Sequence, residues 1–313
     1  AQEIAVLYDG EPQWEDAAIL PADGRIAVTT DSFVVKPLVF PGGDIGKLAA
    51  TGTINDLAMR GAVPLYMTVA LILEEGLPVA TLRQALRSLR EVCEQEGVRI
   101  VAGDTKVVEK GSGDGLFINT TGVGLVHEPH PPGCKSVKPT DRVLVSGPLG
   151  DHGIALLVAR EELPLRTPIT SDCAPLNGLV QAMLQAAPGA VHALRDLTRG
   201  GLAAALNEIA LASEVQIGIE DRLIPVRPEV KGACELLGFD PLHLANEGRL
   251  VAFVAEDHVE TVLQAAQRHP LGRESVVIGE VRPGARPRVT VLTELGTSRV
   301  LSMPAGELLP RIC

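Results

Sequence analysis

Apolar positions recur along the chain in two rhythms. Short β-branched runs bounded by turn residues alternate with longer stretches in which apolar side chains return every three to four residues. That alternation is the pattern of mixed α/β architecture. The runs predict strands over 4–7, 26–30, 64–73, 99–102, 116–126, 142–146, 250–254 and 276–281. The periodic stretches predict helices over 44–60, 78–96, 151–161, 174–185, 200–212, 228–237 and 257–268. Start signals support three of these helices: Asp44 and Asp257 as capping residues and Pro78 in a first turn.

The proline-rich, aperiodic segment 127–139 reads as a linker, which predicts an N-terminal domain over 1–130 and a C-terminal α/β domain over 131–285. After about residue 281 the composition turns to Arg, Pro and Gly, with two short strand-like runs. Residues 286–313 therefore read as strands followed by a mobile tail ending in Cys313. No short repeat runs through the chain, which excludes a solenoid.

Composition narrows the function. Of 313 residues, 46 % are apolar and 21 % charged, so the chain folds rather than staying disordered. The charge is acidic, 28 basic against 39 acidic residues, with no basic stripe to track phosphates, and this excludes nucleic acid as the expected partner. The longest strongly apolar run, 63–73, contains Pro64 and is too short for a bilayer core of about 30 Å, so no membrane segment is expected. Five scattered cysteines without a C-x-x-C pair point to neither a zinc site nor a disulfide framework, and suit a reducing cytoplasm.

Four acidic residues stand where strand ends or adjacent turns are expected: Asp16, Asp31, Asp56 and Asp104. Carboxylates at strand exits can converge on Mg²⁺ and hold substrate phosphates, although each alone also suits an exposed loop or a cap. Gly42-Gly43-Asp44-Ile45-Gly46-Lys47 is not a P-loop, because Pro41 stands where its first Gly belongs and Leu48 where its Ser/Thr belongs. It remains a glycine turn opening a helix, suited to an anion or to nothing more than a tight turn. Arg195-Asp196-Leu197-Thr198-Arg199-Gly200-Gly201 offers a second helix start that could grip phosphate, or a plain capped start. Glu247, in Asn246-Glu247-Gly248, is either a base or a solvated turn residue. His152, in Gly150-Asp151-His152-Gly153, is either a polar lining group or a helix-terminus residue. Cys313 has no neighbouring thiol; ten residues from Pro304 reach about 33 Å when extended, enough to bring it into a cleft.

Taken with Gly103-Asp104-Thr105-Lys106, Phe117-Ile118-Asn119-Thr120 and Pro310-Arg311-Ile312-Cys313, these motifs resemble the HypE family of hydrogenase maturation factors. The likeness runs from about residue 15 to the end. Its early motifs are shared with the wider ATP-using superfamily of aminoimidazole ribonucleotide synthetase, thiamine phosphate kinase and selenophosphate synthetase. Two departures stand out: the family's Gly-rich leader does not precede Ala1, and its paired Asp-Asp reads Glu15-Asp16.

The resemblance implies two α/β domains, a homodimer joined through the N-terminal half, and ATP with Mg²⁺ between the halves. It implies that Cys313 receives a carbamoyl group from HypF. ATP-dependent dehydration then gives an S-cyanate, and the nitrile passes to the HypC–HypD complex to become a cyanide ligand of iron in [NiFe]-hydrogenase. On that expectation Asp16, Asp31, Asp56 and Asp104 hold Mg²⁺, Lys106 stabilises developing charge and Glu247 accepts the proton. Lys47, Asn119, Asp196, Thr198 and Arg199 contact the nucleotide. The competing expectations are a small-molecule kinase or synthetase of the same superfamily, with Cys313 incidental, and a non-catalytic thiol carrier.

Overall fold

The computed structural model describes the main chain of residues 18–22 and the whole of 24–160, 168–303 and 312–313. The strand expected over 4–7 and the acidic residue Asp16 lie outside the described residues, as does most of the tail.

Strands β1 (Ala18–Ala22) and β2 (Gly24–Phe33) form a hairpin, and the two-residue strands β3 (Val39–Phe40) and β4 (Gly43–Asp44) pair with each other. Helix α1 (Ile45–Met59) leads into β5 (Ala62–Glu74), α2 (Val79–Gln95), β6 (Arg99–Val108) and β7 (Leu116–Val126). Five of these strands make one sheet in the order β1-β2-β7-β5-β6, antiparallel except where α2 crosses over from β5 to a parallel β6. Both helices lie on one face of it. Helix α2 buries Ala85, Leu89, Val92 and Cys93, one stripe at helical spacing, and leaves its charged side to water. Helix α1 is buried nearly all round, because its far side meets the second half of the chain: Ala58 and Met59 share a core with Leu179, Val180 and Met183. Small residues allow that close packing; a Cβ on Gly46 would come within 1.7 Å of the Ala85 carbonyl oxygen of α2.

The second sheet is built from β8 (Arg142–Val145), β9 (Val191–Asp196), β10 (Gln216–Glu220), β11 (Leu250–Val254), β12 (Val276–Arg282), β13 (Arg288–Leu292) and β14 (Ser298–Val300). Their order is β14-β13-β10-β12-β8-β11-β9, so the two strand-like runs beyond residue 281 join this sheet. Helices α3 (Asp151–Ala159), α4 (Asn177–Ala186), α5 (Gly201–Ala212), α6 (Pro228–Leu237) and α7 (Val259–Arg268) complete the fold. The irregular stretch after β7 is packed rather than free, with Cys134 and Val137 buried in the core beneath α5.

Several expectations change. Strands β9 and β10 are not among the predicted runs. The 99–102 strand continues to Val108, so Asp104 and Lys106 lie within β6; Asp31 likewise lies within β2, and Asp56 within α1. Asp257 belongs to a short 3₁₀ turn, Glu256–His258, and does not cap α7.

Candidate functional site

Cys313 is drawn into the seam between the two sheets. Its main-chain oxygen accepts from Val34 N–H at 3.1 Å, just past β2, and Ile312 before it is 4 % exposed in the first core. The Sγ atom lies 3.7 Å from Nη2 of Arg199, in the loop between β9 and α5. Burial, then the negative charge of Glu247, pushes the Cys313 thiol up to about 12 against the pull of Arg199. A sulfur so placed is a thiol at neutral pH and a poor nucleophile.

Glu247 is 2 % exposed and its Oε1 has no hydrogen-bond partner among the described residues. Burial raises its carboxyl well above the ordinary carboxylate range, and Asp196, Asp172 and Asp31 add to the rise. Asp172 fixes the turn beneath it, accepting from Glu247 N–H at 3.0 Å and Gly248 N–H at 3.3 Å. A Cβ on Gly248 would lie 2.0 Å from the Asp172 carbonyl oxygen, so only glycine allows this approach. Asn246 is fully buried: Nδ2 donates to the Leu197 and Leu244 carbonyls, and Oδ1 accepts from Gly150 N–H at 2.7 Å. It ties the Glu247 turn to the loop after β9 and to the start of α3. Asn55 of α1 does the same across the seam, donating to the carbonyls of Ala174 and Glu247 and accepting from Leu176 N–H.

Two further acids surround the sulfur. Asp196 at the end of β9 is pushed up to about 6 by burial, Arg195 opposing and Asp31 adding to the rise. Asp31 is itself raised, by burial, against its hydrogen bond from Ser32 N–H and the Arg199 charge. The fold thus brings together Cys313, Glu247, Asp196, Arg199 and Asp31.

The remaining expected residues are dispersed. Asp56 accepts from Thr29 Oγ1 at 2.7 Å on the helix-covered face of the first sheet. Asp104 is exposed and pairs with Lys106 at 2.6 Å. Asp31 lies opposite Thr120, Thr120 opposite Val69 and Val69 opposite Gly103. Asp104 therefore stands three strands away, about 14 Å, and its one-residue offset turns it to the opposite face. Asp31, Asp56 and Asp104 of one chain do not form one metal centre, and among the described residues no three His, Cys, Asp or Glu side chains gather as a metal site. Asn119 lies on that outer face, its amide donating to Asp31 O and Ser32 Oγ. Lys47 donates to Gly42 O, and its charge is felt at the buried Cys173. The anion reading of the α1 start gives way to a cap, since Asp44 Oδ1 accepts from Gly46 N–H, Lys47 N–H and Ser88 Oγ. Thr198 is half-buried in the loop before α5.

Sequence reasoning missed Asp172, which lies in an aperiodic stretch and reaches its partners across 75 residues. It left His152 undecided; that ring is fully buried against Ile312.

Comparisons with known proteins give the family and the fold. The family described as AIR synthase related protein, N-terminal domain, matches residues 14–126, and its C-terminal counterpart matches 138–292. The carbamoyl dehydratase HypE of Cupriavidus necator is 50 % identical, with 100 % of this chain and 90 % of that protein covered. A crystal structure of a HypE–HypF complex contains a chain that superposes with a TM-score of 0.92 at 50 % identity, covering 97 % of this chain and 98 % of that one. A HypE crystal structure in complex with ATP gives 0.89 at 43 % identity, covering 96 % and 90 %.

Proposed function

Since the chain belongs to the AIR synthase related family, and within it to the HypE carbamoyl dehydratases, we propose that it uses ATP to dehydrate an S-carboxamide on its own Cys313 to an S-cyanate for [NiFe]-hydrogenase maturation. The observation that carries this is the buried Glu247 carboxyl, with Oε1 unpartnered among the described residues, beside the half-buried sulfur of Cys313. A fold does not keep a buried carboxyl oxygen unmatched unless something polar meets it, because such an atom costs about 1–3 kcal/mol.

An amide oxygen is a poor leaving group; it takes the γ-phosphoryl group of ATP with release of ADP, and the C–O bond then breaks, phosphate leaving as the nitrogen loses its two protons to give the nitrile. Glu247 supplies the acceptor: burial raises its affinity for a proton above that of a free carboxylate and makes it the stronger base toward the nitrogen. Arg199 lies against the sulfur and offsets negative charge as it develops there. The thiol pushed up to about 12 suits a sulfur already carbamoylated, so loading by a HypF-like carbamoyltransferase takes place with Cys313 outside the seam. Lys47, Thr198 and Asp196 border the seam and are the nucleotide-side candidates.

The remaining expectations depend on a second copy. Among the described residues of one chain nothing covers the face of the first sheet away from the helices, where Tyr66 and Ile72 are exposed, and the edge strand β6 exposes Ile100, Val101 and Val107. Unpaired apolar edges of this length invite association. A homodimer closing on this face would let Asp104 of the partner subunit and the partner subunit's Lys106 reach a site they do not reach in their own chain. Mg²⁺ is proposed to accompany the ATP phosphates, with Asp31 and Asp56 as the candidates on the helix-covered face of this chain, and no step is assigned to the ion. Delivery of the nitrile to a HypC–HypD complex, a cytoplasmic location and the division into units over 1–130, 131–285 and 286–313 belong to the same proposal. The four other cysteines are buried. Incubation with ATP, carbamoyl phosphate and a HypF carbamoyltransferase, followed by mass analysis of the Cys313 peptide, tests the reaction: loss of one water from the carbamoylated peptide supports it, and an adduct on Cys93, Cys134, Cys173 or Cys234 contradicts it.

A further inference from the structure

We infer that His152 is a positioning residue: by donating from Nε2 to the main-chain carbonyl of Ile312, it holds the last two residues of the sequence in the seam while Cys313 is processed. The bond measures 2.9 Å, between groups that are both buried. Its direction is settled by chemistry. A carbonyl oxygen only accepts, so Nε2 carries the hydrogen. In the neutral ring Nδ1 then accepts, and Ser171 Oγ lies 2.8 Å from it. Ser171 Oγ in turn accepts from Cys173 N–H at 3.1 Å. The chain of donors therefore runs one way, from the Cys173 amide through Ser171 and His152 to Ile312, and each group fixes the tautomer of the next.

The rest of the environment keeps the ring still and neutral. Phe40 packs edge-on to it at 5.6 Å, with the planes at 89°. Burial pushes the imidazole below its ordinary value. His152 follows Gly150, whose N–H is held by Asn246 Oδ1, and Gly153 N–H donates to Ala245 O. The donor is thus anchored to the turn that carries Glu247, so tail and carboxyl are set on a common frame. The other main-chain tether of Cys313 is Val34 N–H, which any side chain at 34 would provide. Among the described residues, His152 is a side chain that holds the main chain of the tail, whereas Arg199 meets its sulfur.

The inference rests on the proposed dehydration for its purpose, but its test does not. Cys93, Cys134, Cys173 and Cys234 are buried, so alkylation of the native full chain by iodoacetamide, followed by intact mass, reports chiefly how often Cys313 leaves the seam. One hydrogen bond of about 1 kcal/mol corresponds to about fivefold in that equilibrium. His152→Leu should therefore alkylate about five- to tenfold faster, while His152→Gln, whose amide can donate from nearly the same place, should stay within about twofold of the parent. The same order should appear in single-turnover dehydration of carbamoylated chain, with carbamoylation itself unchanged. Ser171→Ala releases the tautomer and should move alkylation in the same direction. Parental alkylation rates in the Leu and Ser171→Ala variants overturn the inference. Equal acceleration in the Gln and Leu variants overturns it too, because ring packing rather than donation would then hold the tail. If the Leu variant does not fold, Ser171→Ala and His152→Gln decide alone. A parent chain that alkylates slowly but forms no cyanate refutes the dehydratase reading and leaves the tether standing.

Discussion

Glu247 and Asp31 crowd acidic charge beside one sulfur, Asp196 and Asp172 add to it at Glu247, and the guanidinium of Arg199 opposes it at the sulfur while Arg195 opposes it at Asp196. Such crowding costs stability. Asp196 is pushed up to about 6, above its value in an unfolded chain near 4, so between those pH values the folded state holds a proton that the unfolded state has lost. Stability from this group is present below about pH 4 and falls as pH rises to about 6; Asp196→Asn should remove that slope. The gain at pH 7 should be at most about 3 kcal/mol, read as a raised Tm. Glu247→Gln should also melt higher at pH 7, because a neutral amide replaces a carboxyl whose ionisation burial resists. The same change should leave carbamoylation intact and slow single-turnover dehydration by about 10²-fold or more. A Gln variant that dehydrates at the parental rate removes Glu247 as the proton acceptor.

Helix α1 shows what a periodic pattern reveals and what it hides. Its span and its Asp44 cap were legible, since an apolar run behind a capping residue is a local signal. Asp44→Ala should lower stability by about 1–2 kcal/mol in denaturant titration, with three hydrogen bonds to Oδ1 lost. The covering of α1 from both sides was not legible, because it depends on a domain that begins some eighty residues later. Strands β7 and β11 coincide with their predicted bounds: one alternates strictly, and the other is buried on both faces. Strand β9 was missed because His192 and Arg195 break its short apolar run, although its neighbours bury it. The strand β6 was cut short because its polar half is exposed on both faces, leaving no apolar rhythm to follow. Asp104 therefore looked like a turn residue.

At the scale of the whole molecule, the sequence named Cys313, Glu247, Asp31, Asp196 and Arg199 without knowing that they meet. Proximity across the seam is made by Asn55, Asn246 and Asp172, whose bonds run to the main chain, so their partners were not legible even where, as in Asn246-Glu247-Gly248, the motif was. The uncovered face of the first sheet carries the matching prediction for assembly. Ile72→Glu should shift sedimentation from dimer to monomer and abolish ATP-dependent dehydration while leaving the fold intact by circular dichroism. A variant that stays active as a monomer would mean that Asp104 and Lys106 are not shared between copies. The most direct measurement of the account is the mass of the Cys313 peptide from carbamoyl-loaded chain before and after ATP, in parent and Glu247→Gln. The account predicts loss of one water from the parent peptide and retention of the carbamoyl mass in the variant; an unchanged parent peptide, or water lost equally from both, contradicts it.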